Sequence, residues 1–182
     1  MKGTIMTASH SRRARQHLFT RVTCAVGLTV ALAGCAPPDP KAELEIQGLE
    51  TYWAIDSPAG GTQFLAPVVR FTVRNKGTKA RRSILASATY RRDGETVAWS
   101  SAFWKVSPVK DESLAPGASA PAMLKPEGEG RYTSTGAPEG MFAHPAWKDV
   151  SAEVFIRVDS SNVVSFGTFP IERRIGSKGL AP

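Results

Sequence analysis

Side chains able to do covalent or metal chemistry are scarce in this sequence and poorly placed for it. Beyond residue 34 there is one histidine, His144, near Met141, and Met123 is the only other methionine there. A zinc or copper site built on imidazole wants at least a second imidazole or a thiolate. The expectation is that Met141 packs, that His144 makes a hydrogen bond, and that no metal is held. A Ser-His-acid site would have to use His144, and no Gly-x-Ser-x-Gly turn presents a serine. Ser107-Pro108-Val109-Lys110 spells Ser-x-x-Lys, but the motifs that complete a Ser-Lys acyl-transfer site are absent. The pairs Asp111/Glu112 and Glu127/Glu129 fall in Pro/Gly-rich stretches, where carboxylates are solvated by default. Glu43 and Glu45 alternate with Leu44 and Ile46 and so face water. There is no Asp-x-Asp calcium loop and no phosphate-cradling glycine loop. These residues predict a protein that is not an enzyme and holds no cofactor.

Aromatic side chains are better placed to bind than to react. The run Val97-Ala98-Trp99-Ser100-Ser101-Ala102-Phe103-Trp104 has period two, which puts Trp99 and Phe103 on one face of a strand and Trp104 on the other. One face must be core, so an aromatic is left for the surface unless a loop covers it. The second cluster lies in the 23-residue connection Pro126–Lys148, which carries Tyr132, Met141, Phe142, His144 and Trp147. Connections this long and structureless usually serve a function or cover an edge. Aromatics with methionine suit an interface; equally, Phe142 and Trp147 could plug the open end of a sandwich. The candidate binding surface is therefore Trp99, Trp104, Tyr132, Phe142, His144 and Trp147.

The elements that must position these residues begin after an N-terminal address. Of 182 residues, 23 are Lys or Arg and 16 Asp or Glu, a formal +7. Residues 1–34 hold five of the bases and no acid, which leaves only +2 for the rest, poor support for nucleic-acid binding. Ser11–His17 is a basic segment, and Val22–Ala33 is an apolar run of 12 residues, the length of a signal-peptide core and too short to span a bilayer. Leu32-Ala33-Gly34-Cys35 follows, and it closely resembles the bacterial lipobox. The resemblance implies cleavage after Gly34 and lipid on the Cys35 thiol. Cys24 would leave with the signal peptide, so no intramolecular disulfide is expected. Ser11-Arg12-Arg13 is similar to a twin-arginine signal, but Arg15-Gln16 replaces the apolar pair, which favours ordinary export. Ala36 stands where an Asp would favour inner-membrane retention, so in a two-membrane bacterium the expected location is the periplasmic face of the outer membrane.

The division that follows is a signal peptide (1–34), a lipidated cysteine with a Pro-rich tether (35–42), one domain (43–172) and a basic tail expected to be disordered (173–182). The domain reads as seven short runs separated by Gly, Pro, Asn or Asp: Glu43–Ile55, Phe64–Arg74, Ser83–Arg91, Thr96–Val106, Ser119–Lys125, Val150–Val158 and Val163–Ile171. Gly48 marks a phase shift that suits a β-bulge, and Arg92-Asp93-Gly94-Glu95 reads as a hairpin turn. This spacing predicts an all-β, immunoglobulin-like sandwich of about seven antiparallel strands. Val73-Arg74-Asn75-Lys76-Gly77, Tyr90–Val97 and Leu114-Ala115-Pro116-Gly117 resemble the landmarks of bacterial extracytoplasmic modules of the FxLYD type. The match covers about 50 residues, and of the name-giving motif only Tyr90 agrees. The resemblance implies a non-enzymatic envelope module. The expectation is a membrane-anchored, extracytoplasmic protein that binds a protein partner in the envelope, the alternative being a carbohydrate- or small-ligand-binding lipoprotein.

Overall fold

The computed structural model describes residues 39–56, 62–109, 112–134 and 136–176. The signal segment, Cys35, Lys110, Asp111 and residues 177–182 lie outside them.

Alternation of apolar and polar residues makes the strands, and two antiparallel sheets bury the apolar sides against each other. Strands β1 (Leu44–Asp56), β2 (Gln63–Asn75), β5 (Ser119–Leu124) and β6 (Tyr132–Ser134) form one sheet, in which β2 is flanked by β1 and, on its other side, by β5 and β6 in succession. Strands β4 (Ser100–Val106), β3 (Ile84–Arg92), β7 (Val150–Val158) and β8 (Val164–Pro170) form the other, in that spatial order. This is an immunoglobulin-like sandwich with eight strands among the described residues rather than about seven. The additional one, β6, has three residues and pairs with Gln63–Leu65 of β2. Strand β7 follows the expected parity, with Val150, Ala152, Val154, Ile156 and Val158 all buried. They meet Leu65, Val69, Phe71 and Val73 of β2 in a single core. The β1–β2 register shifts between Gln47 and Glu50, where Gly48 has φ +59°. Across the core the buried Tyr90 donates its hydroxyl to the Leu124 carbonyl at 2.6 Å.

Three boundaries differ from the sequence pattern. Pro40–Glu43 is one helical turn (α1), because Pro40 supplies a helical φ and the Asp39 carboxylate accepts from the Lys41 amide at 3.0 Å. The tether thus reaches the domain by Asp39. Strand β4 starts at Ser100: the Arg92 turn closes through Glu95 N–H to the Arg92 carbonyl at 3.0 Å, and Val97, 75% exposed, has nothing to pack against. At the C-terminal side, residues 173–176 run along β1. The Trp53 amide donates to the Arg174 carbonyl at 2.8 Å, and the Gly176 amide donates to the Trp53 carbonyl at 2.9 Å.

The registers assign the described connections to the two ends of the sandwich. Residues 39–44, 75–84, 106–109, 112–119 and 158–164 lie at the end where the chain enters the domain. Residues 92–100, 124–134, 136–150 and 170–176 lie towards the other, and β2, about 40 Å long, runs between the two.

Candidate functional site

Strand directions bring four of the predicted aromatics together at the far end. Trp53, near the end of β1 on its inward side, is fully buried and forms the floor. Above it lie Tyr132 from β6, then Phe142 in the 3-10 helix Pro138–Ala143, and Trp147 just before β7. Ring centroids are 4.8 Å apart for Trp53 and Trp147, 4.5 Å for Tyr132 and Trp147, 5.0 Å for Phe142 and Trp147, and 5.7 Å for Trp53 and Tyr132. Trp99 joins from the β3–β4 connection at 4.9 Å from Tyr132, with the Arg92 guanidinium 5.3 Å over its other side. Several of these pairs are tilted or edge-on, the arrangements the ring quadrupole favours. The 126–148 connection therefore plugs the open end of the sandwich.

Most polar groups around the plug are matched with one another, although the buried Trp53 indole N–H at its floor has no hydrogen-bond partner among the described residues. The Tyr132 hydroxyl donates to the Lys148 carbonyl at 3.0 Å, and the Trp147 indole N–H donates to Asp149 Oδ1 at 3.1 Å. Arg173 holds the same carboxylate through two bonds, Nε to Oδ1 at 2.8 Å and Nη2 to Oδ2 at 2.7 Å. Residues of the expected tail thus clamp the site. Arg173 keeps the Asp149 carboxyl below its usual range, with the Trp147 bond helping and partial burial opposing. Lys148 and Arg92 do the same for Glu95, at 2.8 Å each. Burial pushes the Tyr132 phenol up.

The plug does not close completely. An apolar groove of about 220 Å³ remains, lined by Tyr132, Met141, His144, Ala146 and Trp147. His144 sits on its rim, exposed, with Nδ1 accepting from the Ala146 amide at 3.1 Å. Its other lining side chains are the Ala146 methyl, the Met141 thioether, and the Tyr132 phenol and Trp147 indole, whose O–H and N–H are already bonded.

Trp104 is not part of this site. It lies on β4, half-buried against the core, and its indole N–H reaches the Pro121 carbonyl of β5 at 3.2 Å. The expected pairing of Trp99 with Phe103 also fails: Trp99 precedes the strand and turns into the plug, whereas Phe103 is 68% exposed on the outer face. Period-two parity holds only within the ladder, and the ladder starts at residue 100. Cys35 lies outside the described residues. Missing from the sequence-derived set are Trp53, Arg92, Asp149 and Arg173. Trp53 carries only the signature of a core position, and its companions are 46 or more residues away in the chain. Among the described residues no three His, Cys, Asp or Glu side chains converge as metal ligands would, and no helix is long and apolar enough to cross a membrane.

Comparison with known proteins adds no relative: no protein-family model matches the chain, and no curated protein matches it at a significant level. The Asn75 and Leu114–Gly117 turns meet in space. The buried Asn75 side chain donates to the Leu114 carbonyl at 2.9 Å, and the Gly117 amide donates to the Asn75 carbonyl at 2.7 Å.

Proposed function

We propose that this chain is a lipid-anchored, extracytoplasmic, non-enzymatic module that binds an envelope protein by seating one large apolar side chain of it in the Tyr132–Trp147 groove. One observation carries the choice of ligand: the groove is lined mainly by apolar surface, and the Tyr132 hydroxyl and Trp147 N–H that border it are already engaged, with the exposed His144 imidazole at its rim. Sugar recognition needs an aromatic platform together with free donors and acceptors. Here the Tyr132 hydroxyl, the Trp147 N–H, Asp149 and Glu95 all have partners inside the molecule. A volume of about 220 Å³ also falls below the roughly 300–1,000 Å³ of small-molecule pockets. It suits a single anchoring side chain of the kind that dominates protein interfaces. Met141 lets such a groove adapt, since its thioether is unbranched and polarizable. The anchor rests on the lipobox resemblance at Leu32–Cys35.

Two experiments test this reading. A photocrosslinking amino acid placed at Met141 in cells is expected to capture one reproducible protein, not captured from position 103, and to lose it in Trp147→Ala. Recovery of glycan alone, or of the same species from both positions, would overturn the protein-binding reading. For the anchor, Cys35→Ser is expected to move the protein from the membrane to the soluble fraction. A distribution unchanged by the substitution contradicts lipidation.

A further inference from the structure

The end of the sandwich where the chain enters is built differently, and its surface chemistry fits a bilayer. The β2–β3 connection carries Lys76, Lys79, Arg81 and Arg82. Arg81 is withdrawn from the surface, bonded to Glu43 of α1 and to Asp159 at 3.3 Å, and these two acids outweigh its charge, so the cationic character of this end comes from its exposed bases. Lys76, Lys79 and Arg82 are exposed and have no ion-pair partner among the described residues. Their loop is held in place. The Lys76 and Gly77 amides donate to the Glu43 carbonyl at 2.9 and 3.2 Å, and fully buried Asn75 donates to the Lys79 carbonyl at 2.9 Å. A side chain at Gly77 would press on Glu43 Oε2 at 3.1 Å, so loop and helical turn are in close contact.

A second, independent feature lies at the same end. The described residues include four large hydrophobics that are strongly exposed, and two of them belong to its connections: Val109, 58% exposed, between β4 and β5, and Val163, 59% exposed, between β7 and β8. Exposed valines beside unpaired cations are a composition suited to an anionic interface. The position agrees with this. Cys35 precedes Asp39 by four residues, which span at most about 14 Å fully extended.

We infer that this end of the domain is a docking surface for anionic phospholipid headgroups, with Lys76, Lys79 and Arg82 as the contacts and Val109 and Val163 at the interface. The inference rests on the anchored reading for its geometry. It deepens that reading by fixing orientation: the cationic end faces the bilayer and the aromatic groove points away from it.

The test separates the surface from the lipid. The mature chain carrying Cys35→Ser is mixed with vesicles of phosphatidylglycerol and phosphatidylcholine, or of phosphatidylcholine alone, and bound protein is measured by flotation. It is expected to bind the anionic vesicles only, and to be released by raised salt. Lys76→Gln, Lys79→Gln and Arg82→Gln combined are expected to lower partitioning about 100-fold, from three lost surface cations. Arg91→Gln, at the other end, should leave it unchanged, and thermal melts of the variants should match the parent. Equal binding to both vesicle types, no binding to either, or equal loss in Arg91→Gln overturns the docking surface. Lipidation is scored separately from the mass of the Cys35 peptide in cells. A lipidated protein whose Cys35→Ser form ignores anionic vesicles loses only the docking surface. An unlipidated one that still binds them loses only the anchor.

Discussion

The two ends of this sandwich are closed by opposite means. At the far end, five aromatic rings fill the opening and the surrounding charges pair off around them. At the entry end, one buried amide, Asn75, and one shielded guanidinium, Arg81, hold the loops, and cations are left facing water. The first end leaves an apolar concavity, and the second presents exposed cations. A concavity takes up one side chain of a partner, and spread charge suits a surface. Under the two proposals above, this difference gives one small domain two distinct contacts.

The largest effect expected from breaking this contrast is at the plug floor. Trp53→Ala removes the ring that touches Tyr132, Phe142 and Trp147, and should cost about 3–5 kcal/mol in chemical denaturation. A loss below 1 kcal/mol would mean the rings are not a packed unit. Next comes the entry end, where Asn75→Ala removes the side-chain donor to the Lys79 and Leu114 carbonyls, of which Leu114 keeps the Arg81 amide. About 1–3 kcal/mol is expected in chemical denaturation.

Smaller effects sharpen the picture. Tyr132→Phe deletes one bond, to the Lys148 carbonyl, while keeping the ring, and should cost about 0.5–1.5 kcal/mol. Acid acts on the plug's two carboxylates. Asp149 and Glu95 have folded-state values below their ordinary ones, so their stabilisation is complete above the ordinary carboxylate range and is lost as pH falls through the depressed values, below about pH 4. Tryptophan fluorescence should follow that loss. Asp149→Asn should remove the Asp149 share of it, and salt should weaken it, because Arg173 and Lys148 are solvent-exposed. Lys79→Gln should change stability by less than about 0.5 kcal/mol, as expected of an exposed side chain without a partner.

The turns of the entry end were legible in the sequence, and so were four of the far end's five rings, but not their arrangement. The alternation of Val150–Val158 is visible in the sequence, and so are Asn75-Lys76-Gly77 and Leu114–Gly117, because turns and period-two strands are local. The meeting of Trp53, Trp99, Tyr132 and Trp147 is not local. It depends on which strands exchange sheets and on where the β4 ladder begins, and neither is encoded within a window of ten residues. Trp104 shows the same limit in reverse. Its type and neighbours match those of Trp99, yet the inward side of β4 sends its indole to Pro121. The Arg173 clamp was hidden because a short basic stretch after the last strand looks like a tail until Asp149 is seen to face it.

One measurement tests the division of labour between the ends most directly. On the proposed anchoring, lipid blocks the Cys35 thiol, so single labelling cysteines can be introduced by Thr78→Cys, in the β2–β3 loop, and by Glu139→Cys, in the 3-10 helix that carries Met141. With the lipidated protein on anionic vesicles that carry a headgroup quencher, the fluorophore at 78 should be strongly quenched and the one at 139 should not. Equal quenching at both positions, or stronger quenching at 139, would contradict the account.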